Sequence, residues 1–218
     1  MKDTAYTSEA LGPHTDTTYF TDPAGLQAFH LLSHTGGSGG QSILVDGFQA
    51  AKELRYQSRR DFKVLSRVPV PWHASGNDGI TIVPSRPFPV INLDDLNYRT
   101  RRRELSQIRW NNDDRGILPL NAGDYFHPAR EWYRSAKKFH DILQRGDMQY
   151  RQQLVPGRVL SINPIILSKI SCLLNISTVF DNWRVLHGRT AFTGKRRVCG
   201  GYSKIIPFPP TLLLTPRY

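Results

Sequence analysis

The chain has 218 residues, 39% of them hydrophobic, which suffices for one packed domain and excludes wholesale disorder. No apolar run approaches the roughly 20 residues of a membrane span, no secretory signal or transit peptide is visible, and two cysteines make no disulfide framework. The formal net charge of +11 suggests nucleic acid, but no zinc-finger, helix-turn-helix or RNP-type pattern accompanies it, so we expect a soluble intracellular protein with solvated basic loops.

Short strand-like runs dominate the chain, and glycine-rich turns separate several of them. The helical signals are fewer: residues 47–65 form a broken helical stretch, and 128–146 carry apolar residues at helical spacing with a proline near the start and a glycine at the end. This balance predicts a mainly β fold, a double-stranded β-helix (jelly roll, cupin-like) with its few helices on one side. The predicted strands are 25–32, 42–46, 79–83, 88–91, 105–110, 179–186 and 196–202.

A His-x-Asp pair, His14 and Asp16, is the first candidate for chemistry. The two residues lie two apart on a short extended segment, so both side chains project to the same side and reach one metal. Two imidazoles and one carboxylate form a three-ligand face for Fe(II), and His187 lies on another strand-like run. The chain has 7 histidines, so the pair alone is a weak signal. We expect the remaining histidines to be surface or core residues: His30, His34, His73, His127 and His140.

The sequence that flanks these residues carries the stronger signal. Segments 3–16 and 181–189 closely resemble the trimethyllysine and γ-butyrobetaine dioxygenases of carnitine biosynthesis. Those enzymes use iron(II) and 2-oxoglutarate and have a double-stranded β-helix core. The resemblance implies that His14, Asp16 and His187 bind Fe(II), and that ascorbate keeps the iron reduced.

The resemblance also implies a site for the co-substrate 2-oxoglutarate. The far carboxylate of this molecule requires a bidentate cation in a dry pocket. The family's arginine before Val-Cys-Gly-Gly-Tyr corresponds to Arg196, whereas Arg197 would face the other way on a strand. Ser42 matches a hydroxyl position that helps to bind 2-oxoglutarate in related dioxygenases.

The substrates of this family carry a trimethylammonium group, which forms no hydrogen bonds and is recognised by aromatic faces. Tyr6 and Tyr202 match aromatic cage positions of the γ-butyrobetaine enzyme. Trimethyllysine also has an α-ammonium that γ-butyrobetaine lacks, and Asp3 is a candidate carboxylate for it, although Asp3 could equally cap a turn. The flanking residues favour trimethyllysine.

Where the sequence departs from the family pattern, we predict boundaries that divide the chain into a domain, an insert and a tail. Residues 1–202 would form the dioxygenase catalytic domain, incomplete at its N-terminus because the family's N-terminal region has no counterpart. Within it, 161–178 has mixed polarity and no clean period, and we interpret it as translated intron that loops out as a foreign insert. Residues 203–218, with four prolines, form a tail outside the family pattern.

The predicted function is the Fe(II)- and 2-oxoglutarate-dependent hydroxylation of N6,N6,N6-trimethyllysine at C3, the first step of carnitine biosynthesis. Two alternatives remain open: hydroxylation of γ-butyrobetaine, and a catalytically inactive fragment of the family. The predicted partners are the small-molecule substrate and O₂, with neither nucleic acid nor membrane, and a homodimer is compatible with the resemblance. We expect a location in the cytoplasm or the mitochondrion.

Overall fold

The computed structural model describes residues 7–74, 79–96, 100–118, 128–156, 160–161 and 178–204. Ten strands and three helices lie within these ranges. The strands are β1 (Leu11–His14), β2 (Leu26–Thr35), β3 (Ser42–Asp46), β4 (Ile91–Leu93), β5 (Leu105–Ile108), β6 (Gln149–Gln152), β7 (Leu160–Ser161), β8 (Thr178–Asp181), β9 (Val185–Arg189) and β10 (Lys195–Ser203). The helices are α1 (Gly47–Gln57), α2 (Arg59–Arg67) and α3 (Pro128–Gln144).

Two four-stranded sheets form the body of the fold. The first has the order β1-β9-β3-β6 and is antiparallel throughout, and the second has the order β10-β2-β8-β7. Their inner faces pack together through Leu44 and Val185 of the first sheet and Phe29 and Phe180 of the second. The mainly β, jelly-roll architecture predicted from the sequence is confirmed.

The three helices cover the outer face of the first sheet. Because side chains alternate along a strand, Ile43 and Val45 of β3 and Leu186 of β9 point away from the sheet interface and join a large buried cluster with α1, α2 and α3. The opposite face of the same strands carries Leu44 and His187, which are paired in register. The helices therefore support the strands from outside, and the site lies between the sheets.

Capping side chains explain why the stretch predicted as a broken helix forms two helices. Asp46, the last residue of β3, accepts hydrogen bonds from the backbone N–H groups of Phe48 and Gln49 and so begins α1. Ser58 ends α1 with its backbone N–H and begins α2 with its side chain, which accepts from the Asp61 N–H. Ser58, whose backbone is extended, thus caps both helices.

The structure differs from the sequence-based strands at three places. Of residues 88–91, predicted as a strand, only Ile91 lies in a strand, β4. Residues 179–186, predicted as one strand, belong to β8 and β9, because the Asp181 side chain accepts from the Trp183 N–H and closes a turn between them. Residues 79–83, also predicted as a strand, form only an isolated bridge between Ala74 and Ile82. A short apolar run without an adjacent strand cannot form a sheet ladder.

One strand pair also departs from the antiparallel pattern, since β7 pairs with β8 in parallel. Parallel neighbours require a connection of about a dozen residues or more, and residues 162–177 supply one of that length. The predicted insert lies outside the described residues except for its ends, Ser161 and Thr178, which are in these two strands. Of the predicted tail, Ser203 ends β10 and Lys204 is described, whereas 205–218 lie outside. Within the described ranges, every helix is too short or too polar to cross a bilayer.

Candidate metal centre

His14, Asp16 and His187 lie together at one end of the space between the sheets. His14 and His187 are opposite each other in β1 and β9, with their ring centroids 4.3 Å apart. Asp16 follows in the bend after β1, with Oδ1 3.3 Å from His14 Nε2 and Oδ2 3.6 Å from His187 Nε2. One ligand atom from each residue can be chosen so that all lie within 4.8 Å of one another. The structure thus brings together the three side chains that the sequence predicted as metal ligands.

The donor set fits a divalent metal ion. Ligands bound to one ion at about 2.0–2.2 Å and at right angles lie about 3 Å apart, which is close to the two nitrogen–oxygen distances found here. His14 Nδ1 lies 2.9 Å from the Gly12 carbonyl oxygen, which can only accept, so Nδ1 carries a proton and Nε2 faces the site. Two imidazoles and one carboxylate, with other positions left open, are the ligand set of non-haem Fe(II) oxygenases.

Burial and charge act differently on the three ligands. Burial alone would lower the pKa of His14, but the hydrogen bond and the charge of Asp16 raise it, so a metal ion competes with a proton at this imidazole. Burial, and then the charge of His14, lower the pKa of His187 to about 3, so this imidazole is neutral at neutral pH and can ligate a metal. Burial alone would raise the pKa of the Asp16 carboxyl, but the two imidazoles and the Tyr202 hydroxyl hold it well below its usual range. The carboxylate is therefore charged over the whole physiological range of pH.

Two further side chains hold the Asp16 carboxylate, and both contact Oδ2. Gln27 Nε2 donates to this oxygen at 2.5 Å, and the Tyr202 hydroxyl donates to it at 2.7 Å. Gln27 is only 1% exposed, so its amide is fixed in place. Since Oδ2 already accepts two hydrogen bonds, Oδ1 is the oxygen better able to bind a metal.

Gly188 is required beside the second histidine because β1 and β9 approach closely there. A Cβ added to Gly188 would meet the Leu11 carbonyl oxygen at 2.6 Å, which is shorter than any real contact of this kind. Any larger residue would push β1, and with it His14, away from His187.

The residues predicted to bind 2-oxoglutarate gather at one end of the same inner face. Ser42 is paired with Arg189, two residues beyond the pair of Leu44 and His187, so all four side chains share one side of the sheet. The guanidiniums of Arg189 and Arg196 lie 4.8 and 5.7 Å from the ring of Phe192. This arrangement concentrates positive charge near the candidate metal ligands.

Arg196 has the environment of an anion-binding residue. It is half-buried, whereas Arg197 is exposed, and its Nε is buried without a hydrogen-bond partner. Burial, and then the charge of Arg189, lower the pKa of its guanidinium. Among the described residues Arg196 forms no ion pair, so an anionic ligand is well suited to it.

An open pocket of about 550 Å³ lies beside Tyr202 and the loop that follows Asp16. Tyr202 and Phe20 contribute aromatic rings to its wall and are 56% and 41% exposed. Thr17, the residue after Asp16, also lines it, which connects the pocket to the candidate metal centre. The other two residues predicted to bind substrate, Asp3 and Tyr6, lie outside the described residues.

The structure adds three residues to the site that were not predicted from the sequence: Gln27, Arg189 and Phe20. A signal existed for Arg189, because a residue two positions after His187 on a strand must share its face. Gln27 and Phe20 had no such signal, because their position depends on how β2 and the loop after Asp16 pack against other elements.

The chain is similar to known dioxygenases. A family model described as "Taurine catabolism dioxygenase TauD, TfdA family" matches residues 1–163. Trimethyllysine dioxygenase from Neurospora crassa is 44% identical over 93% of this chain and 44% of its own length. The human mitochondrial enzyme of that name is 39% identical over 92% and 41%, and human gamma-butyrobetaine dioxygenase is 27% identical over 86% and 41%. The chain thus spans less than half the length of these relatives.

Solved structures share the fold at low sequence identity. Asparagine oxygenase in complex with Fe(II), 3-hydroxyasparagine and succinate has a TM-score of 0.58 at 13% identity, over 90% of this chain and 50% of that chain. PvcB, an Fe, alpha-ketoglutarate dependent oxygenase, has a TM-score of 0.51 at 16% identity, over 93% and 60%. These similarities establish the jelly-roll fold alone.

Proposed function

Because the chain belongs to the TauD, TfdA dioxygenase family, we propose that it hydroxylates N6,N6,N6-trimethyllysine at C3 with Fe(II), O₂ and 2-oxoglutarate. The convergence of His14, Asp16 and His187 carries this proposal, since the three side chains come from two distant segments and form the ligand set that such chemistry needs. The choice of substrate is supported by the relatives that are 38–44% identical, which are trimethyllysine dioxygenases.

Each group of residues has a part in the proposed reaction. When bound, iron supplies the oxidation of the substrate by O₂, coupled to the conversion of 2-oxoglutarate to succinate. His14, Asp16 and His187 bind the metal, and Arg196 binds the far carboxylate of 2-oxoglutarate with Ser42 nearby. The aromatic rings packed around His187, Phe29 and Phe180, exclude water from one side of the metal ligands.

The pocket beside Tyr202 is the proposed substrate site. A trimethylammonium group is attracted to aromatic faces, and Tyr202 and Phe20 both line the pocket. Tyr202 also donates to Asp16, so a substrate held against its ring lies near the metal. Asp3 and Tyr6 remain proposed substrate contacts, and ascorbate remains the proposed reductant. The cytoplasm or the mitochondrion remains the predicted location.

Turnover by the 218-residue chain tests the proposal. We expect iron-dependent formation of succinate and of hydroxylated trimethyllysine, measured by mass spectrometry, with less product from γ-butyrobetaine. His14→Ala should abolish turnover, whereas His140→Ala, on α3 and outside the ligand cluster, should preserve it. Co(II) binding without turnover would favour the alternative of an inactive fragment, and preferred turnover of γ-butyrobetaine would favour the other.

A further inference from the structure

Asn182, in the turn between β8 and β9, joins the two segments that carry the candidate metal ligands. Its Oδ1 accepts from the Asp16 N–H at 3.0 Å, and its Nδ2 donates to the carbonyl oxygens of Asp16 and Ala24 at 3.0 and 2.9 Å. The residue is only 1% exposed. Both polar atoms of the side chain are therefore committed to the backbone of the loop that begins at Asp16.

This contact lies beside an unusual backbone conformation. Thr17 has a φ of 57°, in the left-handed region that a β-branched residue rarely adopts. Such a conformation costs free energy and persists only where the surroundings hold it. Asn182 Nδ2 binds the carbonyl of the peptide between Asp16 and Thr17, so it holds the chain at the point where the direction changes.

We propose that Asn182 is a positioning residue of the metal centre, which fixes the backbone of Asp16 so that its carboxylate meets His187. The turn that contains Asn182 leads directly into β9, and His187 follows five residues later. The turn between β8 and β9 thus leads to one ligand and holds the residue that supplies another. The inference rests on the metal site of the proposed function and does not depend on which substrate is hydroxylated.

The neighbouring residue provides a matched control. Trp183 Nε1 donates to the Pro23 carbonyl oxygen at 3.0 Å, so it anchors the same loop from the same turn. Its indole contacts the loop at Pro23, and within the described ranges it makes no hydrogen bond to Asp16. Trp183→Phe removes this anchor and keeps a smaller aromatic ring, whereas Asn182→Ala removes the side-chain hydrogen bonds to Asp16.

Metal binding to the whole 218-residue chain, with no substrate present, tests the role of Asn182. Co(II) is titrated into wild type, Asn182→Ala and Trp183→Phe, and its visible absorption reports both affinity and ligand geometry. We expect Asn182→Ala to weaken binding 10–100-fold, as is typical of residues that orient metal ligands, and to change the shape of the spectrum. The Co(II) affinity of Trp183→Phe, by contrast, should stay within about twofold of that of wild type.

Urea unfolding of each variant without metal separates positioning from stability, and Asn182→Asp is a second variant of the same shape. The aspartate keeps an acceptor for the Asp16 N–H but loses both donors, so it should also bind Co(II) at least about tenfold more weakly. Wild-type affinity in folded Asn182→Ala or Asn182→Asp, or an equal loss in Trp183→Phe, would overturn the inference. A wild-type chain that binds no Co(II) would instead overturn the proposed metal site itself.

Discussion

Gly188 in β9 lies so close to Leu11 in β1 that a methyl group on the glycine would meet the leucine carbonyl oxygen at 2.6 Å. This contact sets the distance between the strands that carry His14 and His187. The geometry of the candidate metal centre therefore depends on a residue that has no side chain.

Gly188→Ala should weaken metal binding by separating the two histidines. Overpacking of this kind costs roughly 1–3 kcal/mol, and we expect Co(II) affinity to fall by about the corresponding 5–150-fold. Gly201→Ala is the matched control, because a Cβ added at Gly201 in β10 meets nothing within 4 Å. Equal affinities for the two variants in a Co(II) titration would contradict this reading of the β1–β9 contact.

Arg196→Ala should raise the dissociation constant for 2-oxoglutarate far more than Arg197→Ala does. Arg196 is half-buried with its Nε unpaired, whereas Arg197 is exposed. Loss of a hydrogen bond to a charged group costs roughly 1.5–3 kcal/mol, or about 10–150-fold in affinity. Calorimetric titration of 2-oxoglutarate into the Co(II)-loaded variants measures the difference. A larger effect at Arg197 would place the co-substrate on the other face of β10.

Asp61→Ala should lower the free energy of unfolding more than the loss of an exposed carboxylate on the helices does. Asp61 is fully buried between α2 and α3 and binds Lys138 at 2.5 Å and Ser135 at 2.9 Å. Breaking a buried ion pair costs roughly 3–5 kcal/mol. Because Lys138 is half-exposed, we expect Asp61→Ala to lower the free energy of unfolding by about 3 kcal/mol. Asp141→Ala, which removes the exposed pair with Lys137, should cost at most about 1 kcal/mol in urea unfolding.

The stabilisation by Asp61 should depend on pH in a definite direction. Burial alone would raise the pKa of this carboxyl, but its hydrogen bonds, first that from Lys138, lower it below the ordinary value. A depressed pKa in the folded state gives stability that is present above about pH 4 and lost as the pH falls further. The difference in unfolding free energy between wild type and Asp61→Ala should therefore shrink below about pH 4.

Asp114→Asn should stabilise the metal-free fold at neutral pH, whereas Asp61→Ala should destabilise it. Burial raises the pKa of Asp114 to about 6. The protonated carboxyl therefore contributes its full stabilisation of the fold below about pH 4, and this stabilisation is lost as the pH rises to about 6. Thr18 and Asn111 both donate to Oδ2, and an asparagine can keep both bonds. We expect a gain of roughly 2–3 kcal/mol at pH 7.5 and little change at pH 4. The exposed neighbour Asp113, changed to Asn, should show no such gain.

Local patterns in the sequence were sufficient for many elements and for the choice of metal ligands. The β-prone apolar run of Ile43, Leu44 and Val45 predicted a strand, which the structure has at Ser42–Asp46. Both faces are apolar because one packs on helices and the other on the second sheet. His14, Asp16 and His187 could be selected because their flanking residues resemble a family. Strand alternation exposes only one of two neighbours to the interior, and Arg196 could be preferred to Arg197 because it matches the arginine position of the family.

The tertiary structure alone decided which residues support those ligands. The hydrogen bonds of Asn182 and Tyr202 to Asp16 join residues 166 and 186 positions apart, and no local period carries information about such distant partners. The same holds for the parallel pairing of β7 with β8. Propensity and periodicity act over a few residues, whereas these contacts depend on the register of whole strands, which only the packing of the two sheets determines.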